Sequence, residues 1–454
     1  MNFTKKLSNL DRRNFLILIP PLSILIFISI SFFSPSTNPF SSFAPIRSFL
    51  LGRSNSILNN NVSSTANATI FLPMRNETVE IRRRSRTRMK KDELLRSRIA
   101  VCLVGGARRF ELTGPSIVEN ILKQYPNSDL FLHSPLDKNA FKFSLLKTAP
   151  KLASVRIFEP KPIPETETEA RVLTAHNSPN GIQFLIHMDH IIKHYYKGLL
   201  QYFNLVEGCL TLIQNYQNQQ NFTYDWIIRT RVDGYWNGPL HPKNFIPGHY
   251  TVPPGSSYGG LNDRFGLGDL NTSVIALSRL SLIPKLDSAG LHQLNSETSF
   301  KAQLTTQRVP FLTKRLPFCV VSDRKYDFPP VGFGVPVAAL SSRGPLSGAK
   351  CRPCTAACRG GCVAEVMGRL YKGWSWTEWG NGTLELCNAS EEWEKGWEKV
   401  FDGVVGEKFG EERKRVEGLS LKNCVDDFEV MINRTVVWEA PLPEKICRMG
   451  LKAH

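Results

Sequence analysis

Three short apolar runs, separated by stretches with helical spacing, restrict this chain to a sheet whose strands run mostly parallel. RIAVCLVGG (Arg98 to Gly106), SDLFLHSPL (Ser128 to Leu136) and SVRIFEP (Ser154 to Pro160) read as strands. Pro115 to Tyr125 and Asn139 to Leu146 read as the helices between them. Parallel neighbours need a crossover over a sheet face, so helices must flank the sheet. Leu185, Met188, Ile192, Tyr195, Leu199, Tyr202, Val206, Cys209 and Ile213 recur at spacings of three and four, which predicts one long helix or two stacked ones on that sheet. WIIRTRV, HYTVPPG (His249 to Gly255) and TSVIALS (Thr272 to Ser278) read as further strands, and Ser296 to Gln307 as a final helix.

Upstream of this pattern, Phe15 to Phe33 holds 19 residues without a charge. As a helix it would span roughly 28 Å, about one bilayer core. Lys5, Lys6, Arg12 and Arg13 precede it against a single acid, Asp11, so residues 1–14 are expected as a cytosolic tail and 15–33 as a single-pass anchor with the bulk of the chain luminal. A cleaved signal peptide is the alternative, but Ser29-Ile30-Ser31 is a poor cleavage site. Residues 34–98, rich in Ser, Asn and Pro, fit a disordered, glycosylated stem. Sequons at Asn61, Asn67, Asn76, Asn221, Asn271, Asn381, Asn388 and Asn433 follow the anchor, as do all ten cysteines. The cysteines permit up to five disulfides, with a buried free thiol at Cys102 as the alternative for that residue.

The formal net charge of +17 invites a nucleic-acid reading, but its distribution argues against one. Residues 1–98 hold 16 Lys/Arg against 5 Asp/Glu, so +11 sits in the membrane-proximal part and +6 is spread over the other 356 residues. The run RRRSRTRMKK, Arg82 to Lys91, reads as solvated stem.

The chemistry concentrates in WIIRTRVDGYW, Trp226 to Trp236, where Arg229, Arg231 and Asp233 alternate and so point the same way at the end of a strand. A carboxylate there can hold a divalent cation, and guanidinium groups can clamp a diphosphate. The plainer explanation of Asp233-Gly234 is a hairpin turn between IIRTRV and YW. The first strand ends in VGGARRF, where Gly105 and Gly106 would let backbone approach a ligand and Arg108 and Arg109 add positive charge. GGLNDRFGLGD, Gly259 to Asp269, reads as a third polar loop in which Asp263 or Asp269 could act as base, metal ligand or hydroxyl acceptor, or simply cap a surface turn.

Together VCLVGGARRFELTGPS, DLFLHSPLD, YDWIIRTRVDGYW and GGLNDRFGLGD resemble glycosyltransferases of the GT-A type over roughly Ile99 to Phe318, and specifically a plant family of uncharacterised type II membrane proteins with a glycosyltransferase-like domain of unknown function. The resemblance implies a GT-A-like, Rossmann-like sheet over residues 99–340, followed by a Cys/Trp-rich region over 341–454. It implies a Golgi membrane enzyme that moves a sugar from a nucleotide sugar to a glycan, polysaccharide or glycoprotein acceptor, with no nucleic-acid partner. Gly105, Gly106, Arg108, Arg109, Arg229 and Arg231 would bind the sugar donor, and Asp233 would hold Mn or Mg. Asp263 and Glu297 would be catalytic, Glu297 by its likeness to an acid on a late helix near the acceptor, with an ordinary exposed acid at a helix N-terminus as the alternative for Glu297. In place of the usual Asp-x-Asp this chain has Arg231-Val232-Asp233, so Arg231 replacing the metal's charge is the alternative. A catalytically silent domain that binds glycans or partners is the rival function, and a sulfotransferase is disfavoured because the first strand lacks a Lys-Ser/Thr phosphate loop.

Other features are read more plainly. His187, His190 and His194 share a helical stripe without an evident fourth zinc ligand and read as packing or surface residues. CRPCTAACRGGC, Cys351 to Cys362, reads as disulfide-bonded in an oxidising lumen, with a zinc knot as the alternative. WSWTEW, from Trp374, could stack on sugar rings, whereas Trp393 and Trp397 have ordinary helix-packing spacing.

Overall fold

The computed structural model describes residues 91–174, 198–372 and 383–451, all within one compact unit running from Arg75 to His454. The anchor at 15–33, Asn61, Asn67, Asn76, Asn381, the histidines at 187, 190 and 194, and WSWTEW lie outside the described residues. No described helix is long and apolar enough to cross a membrane.

Twelve strands are described: β1 (Ile99–Val104), β2 (Ser128–Pro135), β3 (Leu152–Phe158), β4 (Trp226–Arg231), β5 (Gly234–Trp236), β6 (Tyr250–Val252), β7 (Phe265–Asp269), β8 (Phe311–Thr313), β9 (Phe318–Val321), β10 (Val337–Ala339), β11 (Ala349–Arg352) and β12 (Thr435–Glu439). Eight form a sheet in the order β12-β3-β2-β1-β4-β7-β6-β8, and four form a second in the order β10-β11-β9-β5. From β12 to β4 all neighbours are parallel, whereas β7 is antiparallel to both β4 and β6. Every residue of β1 and β2 is buried, as expected of strands covered on both faces, and in β2 the buried set includes Asp129 and His133.

Five helices matter below: α1 (Phe110–Ile117), α2 (Gly198–Gln220), α3 (Leu270–Leu277), α4 (Ser296–Thr306) and α5 (Leu421–Arg434). α1 begins five residues before the expected Pro115 and runs on into a wider π-type turn over Val118–Leu122. The expected strand TSVIALS is helical, forming α3 instead. Asp269 caps it by accepting from the Thr272 N–H at 3.0 Å, and the place in the sheet goes to the glycine-containing FGLGD as β7. Glycine is required there because Tyr250 lies flat on the strand; a Cβ at Gly266 would sit 2.0 Å from its hydroxyl.

α2 packs on the sheet face made by Ala100, Cys102, Val104 and Ile227. Cys102 pairs with Cys209 of that helix, and the remaining cysteines pair as 319–351, 354–387, 358–362 and 424–447, so neither a free thiol at Cys102 nor a zinc knot at Cys351 to Cys362 is present. The boundary expected near Ser341 is crossed by both sheets: β10 pairs with β11 across it, and β12, delivered by α5, extends the large sheet beside β3.

α2 lies close against the sheet at Gly208, where a Cβ would fall 2.1 Å from the ring of His133. That ring is buried and held by the Leu205 carbonyl at 2.9 Å, so it cannot swing aside. Gly208→Ala is therefore expected to lower stability by about 1–3 kcal/mol, the usual cost of overpacking, seen as a lower melting temperature with secondary structure retained.

Candidate functional site

Along β3-β2-β1-β4 the chain lays β2 and β3 on one side of β1 and β4 on the other. The carboxyl ends of β1 and β4 are therefore the point where the strand order reverses, the usual ligand position, or crevice, of an open parallel sheet. Gly105 follows β1 with φ +123, a conformation that L side chains rarely adopt. At Gly106 a Cβ would approach the Asp137 carboxylate to 2.8 Å. The Val232 N–H donates to the Val104 carbonyl at 3.0 Å and Thr113 Oγ1 donates to the Val232 carbonyl at 2.6 Å, which clamps the end of β4 to β1 and α1.

Arg229 and Arg231 share the α2 side of β4, as their alternation predicts, but they do different work. Arg229 is buried; its guanidinium donates to the Tyr202 hydroxyl at 3.1 Å and to the Asp263 carbonyl oxygen, which fastens the loop ahead of β7. It is committed to the fold rather than open to a ligand. Arg231, further along and partly exposed, forms a two-pronged pair with Asp233, Nε to Oδ1 and Nη2 to Oδ2 both at 2.7 Å. Burial alone would raise the Asp233 carboxyl, but the Arg231 charge and hydrogen bonds, helped by Lys350 and Arg108, bring it down to about 2.

Asp233-Gly234 is not a hairpin turn. β4 and β5 lie in different sheets, and the chain passes from one to the other at Val232 and Asp233, with the Asp233 carbonyl accepting from the Val321 N–H of β9 at 2.9 Å. Gly234 pairs with Val320, which pairs with Lys350 of β11. Lys350 thus shares a face with Val320, opposite Ala349 and Cys351, which belong to the core on the other side. Burial together with the charges of Arg264 and Arg231 holds its ammonium well below the usual lysine range. Arg264 itself is buried and donates to Ser256 Oγ at 2.9 Å and the Gly348 carbonyl at 2.6 Å, both uncharged.

On the far side of this loop Asp263 is buried, its Oδ2 accepting from Arg279 Nη2 at 3.2 Å and from the Ser296 hydroxyl at the start of α4. Arg279 is 1% exposed, with its guanidinium 4.3 Å from the Phe300 ring centroid. Burial would raise the Asp263 carboxyl, and Arg279, Arg229 and Ser296 more than offset it, so it stays ionised. Its neighbour in charge, Glu297, behaves oppositely: burial, then the negative charge of Asp263, push it up to about 8. Two acids whose environments drive them apart are the arrangement from which proton-transfer roles are read. Asp263 is a fixed counter-ion, and Glu297 is the group able to take up or release a proton near neutrality. The loop reaches α4 closely at Gly260, where a Cβ would lie 1.9 Å from the Glu297 carbonyl oxygen.

Residues 94–453 match the family described as domain of unknown function DUF7796. The chain belongs to that family. Among solved structures, the apo crystal structure of mouse xyloside xylosyltransferase 1 is similar to it at 14% identity over 48% of this chain and 84% of that one, with a TM-score of 0.29. So loose an overlap assigns nothing by itself, and no curated protein matches in sequence.

In this DUF7796 domain the crevice thus gathers Gly105, Gly106, Arg231 and Asp233, with the charge of Arg108 close enough to be felt at Asp233. Arg109 is engaged elsewhere: it donates to Asp323 at 2.6 Å and its guanidinium lies 3.8 Å from the Trp393 ring centroid. Asp269 lies at the opposite end of the sheet, paired with Trp226 at the start of β4 and capping α3. Lys350 and Arg279 fall in no sequence pattern, and Arg264 lies within GGLNDRFGLGD without standing out there. Lys350 stands alone in a GAKC stretch, and Arg279 follows a segment whose alternation reads as strand.

For a Mn or Mg ion Asp233 is the carboxylate these residues offer, and Arg231 competes for it. Both carboxylate oxygens are taken by Arg231, and among the described residues no group of three or more His, Cys, Asp or Glu could hold a metal ion.

Proposed function

We propose that this DUF7796 chain is a Golgi-type, single-pass glycosyltransferase that transfers a sugar from a nucleotide sugar to a glycan, polysaccharide or glycoprotein acceptor. The carrying observation is the placement of Arg231 and the Gly105–Gly106 turn together at the β1/β4 crevice. There backbone and guanidinium can meet a diphosphate at a position where open parallel sheets bind nucleotides. Glu297 then accepts the proton of the acceptor hydroxyl as the glycosidic bond forms and the nucleoside diphosphate leaves. Asp263, Arg279 and Ser296 hold the start of α4 and so position Glu297. The uncharged stretch at 15–33 and the sequons that follow it support the membrane topology and Golgi setting.

One observation favours the rival reading of a silent binding domain: Arg231 is already neutralised by Asp233. Thermal shift of the full-length chain against a panel of UDP- and GDP-sugars, with hydrolysis of each sugar followed in parallel, separates the two. A stabilising donor that is also slowly hydrolysed is expected, because a ligand that binds only the native state raises its melting temperature. Stabilisation by free glycans with no response to any nucleotide sugar would leave the binding domain as the better account.

A further inference from the structure

Positive charge around the β1/β4 crevice exceeds negative charge. Asp233 is the acid at its centre, and Arg231 occupies both of its oxygens. Lys350, Arg264 and Arg108 bring further cations whose fields meet at the same place: Lys350 and Arg108 act on Asp233, and Arg264, Arg231 and Arg324 act on Lys350. Arg264 donates to neutral oxygens of Ser256 and Gly348, and the Lys350 ammonium makes no hydrogen bond or ion pair among the described residues. Lys350 is partly buried, and the carboxylate near it, Asp233, is already engaged by Arg231, so its surroundings keep a surplus of positive charge that a bound anion would relieve.

We propose that Lys350 is a phosphate ligand: its ammonium, with Arg231, holds the diphosphate of the nucleotide donor in the crevice and supplies the positive charge that a divalent ion would otherwise bring. This rests on the donor-binding reading above and extends it to a residue outside every recognised motif. Lysine suits the role because its ammonium is a compact point charge on a flexible stem, able to follow phosphate oxygens, while the two-pronged Arg231–Asp233 pair stays in register beside it. The groups facing Lys350 are Arg231 and Asp233 from the β4–β5 junction, Arg264 from the loop before β7, which also neighbours Glu297, and Arg324 after β9. Its ammonium loses its proton more readily than an ordinary lysine, so diphosphate affinity falls as pH rises.

The test is calorimetric titration of the full-length chain with inorganic pyrophosphate and with UDP, in chelator, over a pH series. Lys350→Met should weaken pyrophosphate binding roughly tenfold or more, the scale of losing one partner of a desolvated charge pair, and melt at or above the wild-type temperature because an uncompensated charge has gone. Lys350→Arg should keep binding and flatten its pH profile, since a guanidinium stays charged; this variant decides the matter if Lys350→Met does not fold. Pyrophosphate bound equally well by Lys350→Met, or bound only when Mn²⁺ is added, would overturn the proposal. Lys350-dependent pyrophosphate binding with no response to any nucleotide sugar would uphold the anion site and refute the donor function. Nucleotide-sugar binding indifferent to Lys350 would do the reverse.

Discussion

Asp263→Ala should lower folding stability by about 3–5 kcal/mol, the cost of leaving a buried charge without its partner. The stranded group is Arg279, which is 1% exposed and has Asp263 as its carboxylate at 3.2 Å. Ser296 loses its acceptor at the start of α4 in the same step. Chemical denaturation of the single variants and of Asp263→Ala/Arg279→Met measures the coupling. The double variant should recover much of the loss, because removing both charges removes the unpaired one. A single variant as stable as wild type would mean that Asp263 is not the counter-ion that anchors this loop. The experiment also bears on catalysis: a residue with this structural commitment is a positioning residue, so its loss should disturb KM and kcat together with stability.

Glu297→Gln should lower turnover of any donor and acceptor pair by about 10²–10⁴-fold, the range for removing a general base, with little change in affinity for the nucleotide. The same variant carries a pH signature. With its folded value pushed up to about 8, Glu297 keeps a proton in the native state that the unfolded chain has already released above its ordinary carboxylate range. Wild-type stability should therefore decline between about pH 4.5 and 8 through this group, and the Glu297→Gln protein should escape that decline and become the more stable of the two toward pH 8. Wild-type turnover should rise through the same upper limit as the base ionises. A Glu297→Gln enzyme with unchanged kcat, or a stability difference independent of pH, would remove Glu297 from the proton-transfer role.

These two outcomes separate the acids that GT-A resemblance groups together. Asp263 and Glu297 look alike as sequence, each an acid beside small or polar residues. Their difference comes from Arg279 and Arg229, which reach Asp263 and hold it ionised, and from the absence of an ion pair at Glu297 among the described residues. Similarly, Arg229 and Arg231 are equivalent by alternation, yet one fastens a loop and the other stands in the crevice. Asp233 reads as a metal ligand until Arg231 is seen to take both of its oxygens.

What the sequence by itself determined is the parallel heart of the sheet. An unbroken apolar run marks β1, and shorter apolar stretches between turn residues mark β2 and β3, while α2 follows from apolar residues at spacings of three and four that need no distant partner to be recognised. Local pattern also carried the chemistry to the end of β4 and to the glycines after β1. Tertiary structure alone decided the rest. The exchange of α3 for a strand, with β7 formed from a glycine-containing loop, depends on Tyr250 packing over Gly266, a contact between distant segments. β12 completes the large sheet some 280 residues after β3, its partner. Lys350 is carried by a four-stranded sheet whose members are scattered from Gly234 to Arg352. Charge compensation is a property of neighbours in space, so which acid is free, which arginine is spent and which lysine is unpaired become visible only when the chain is folded.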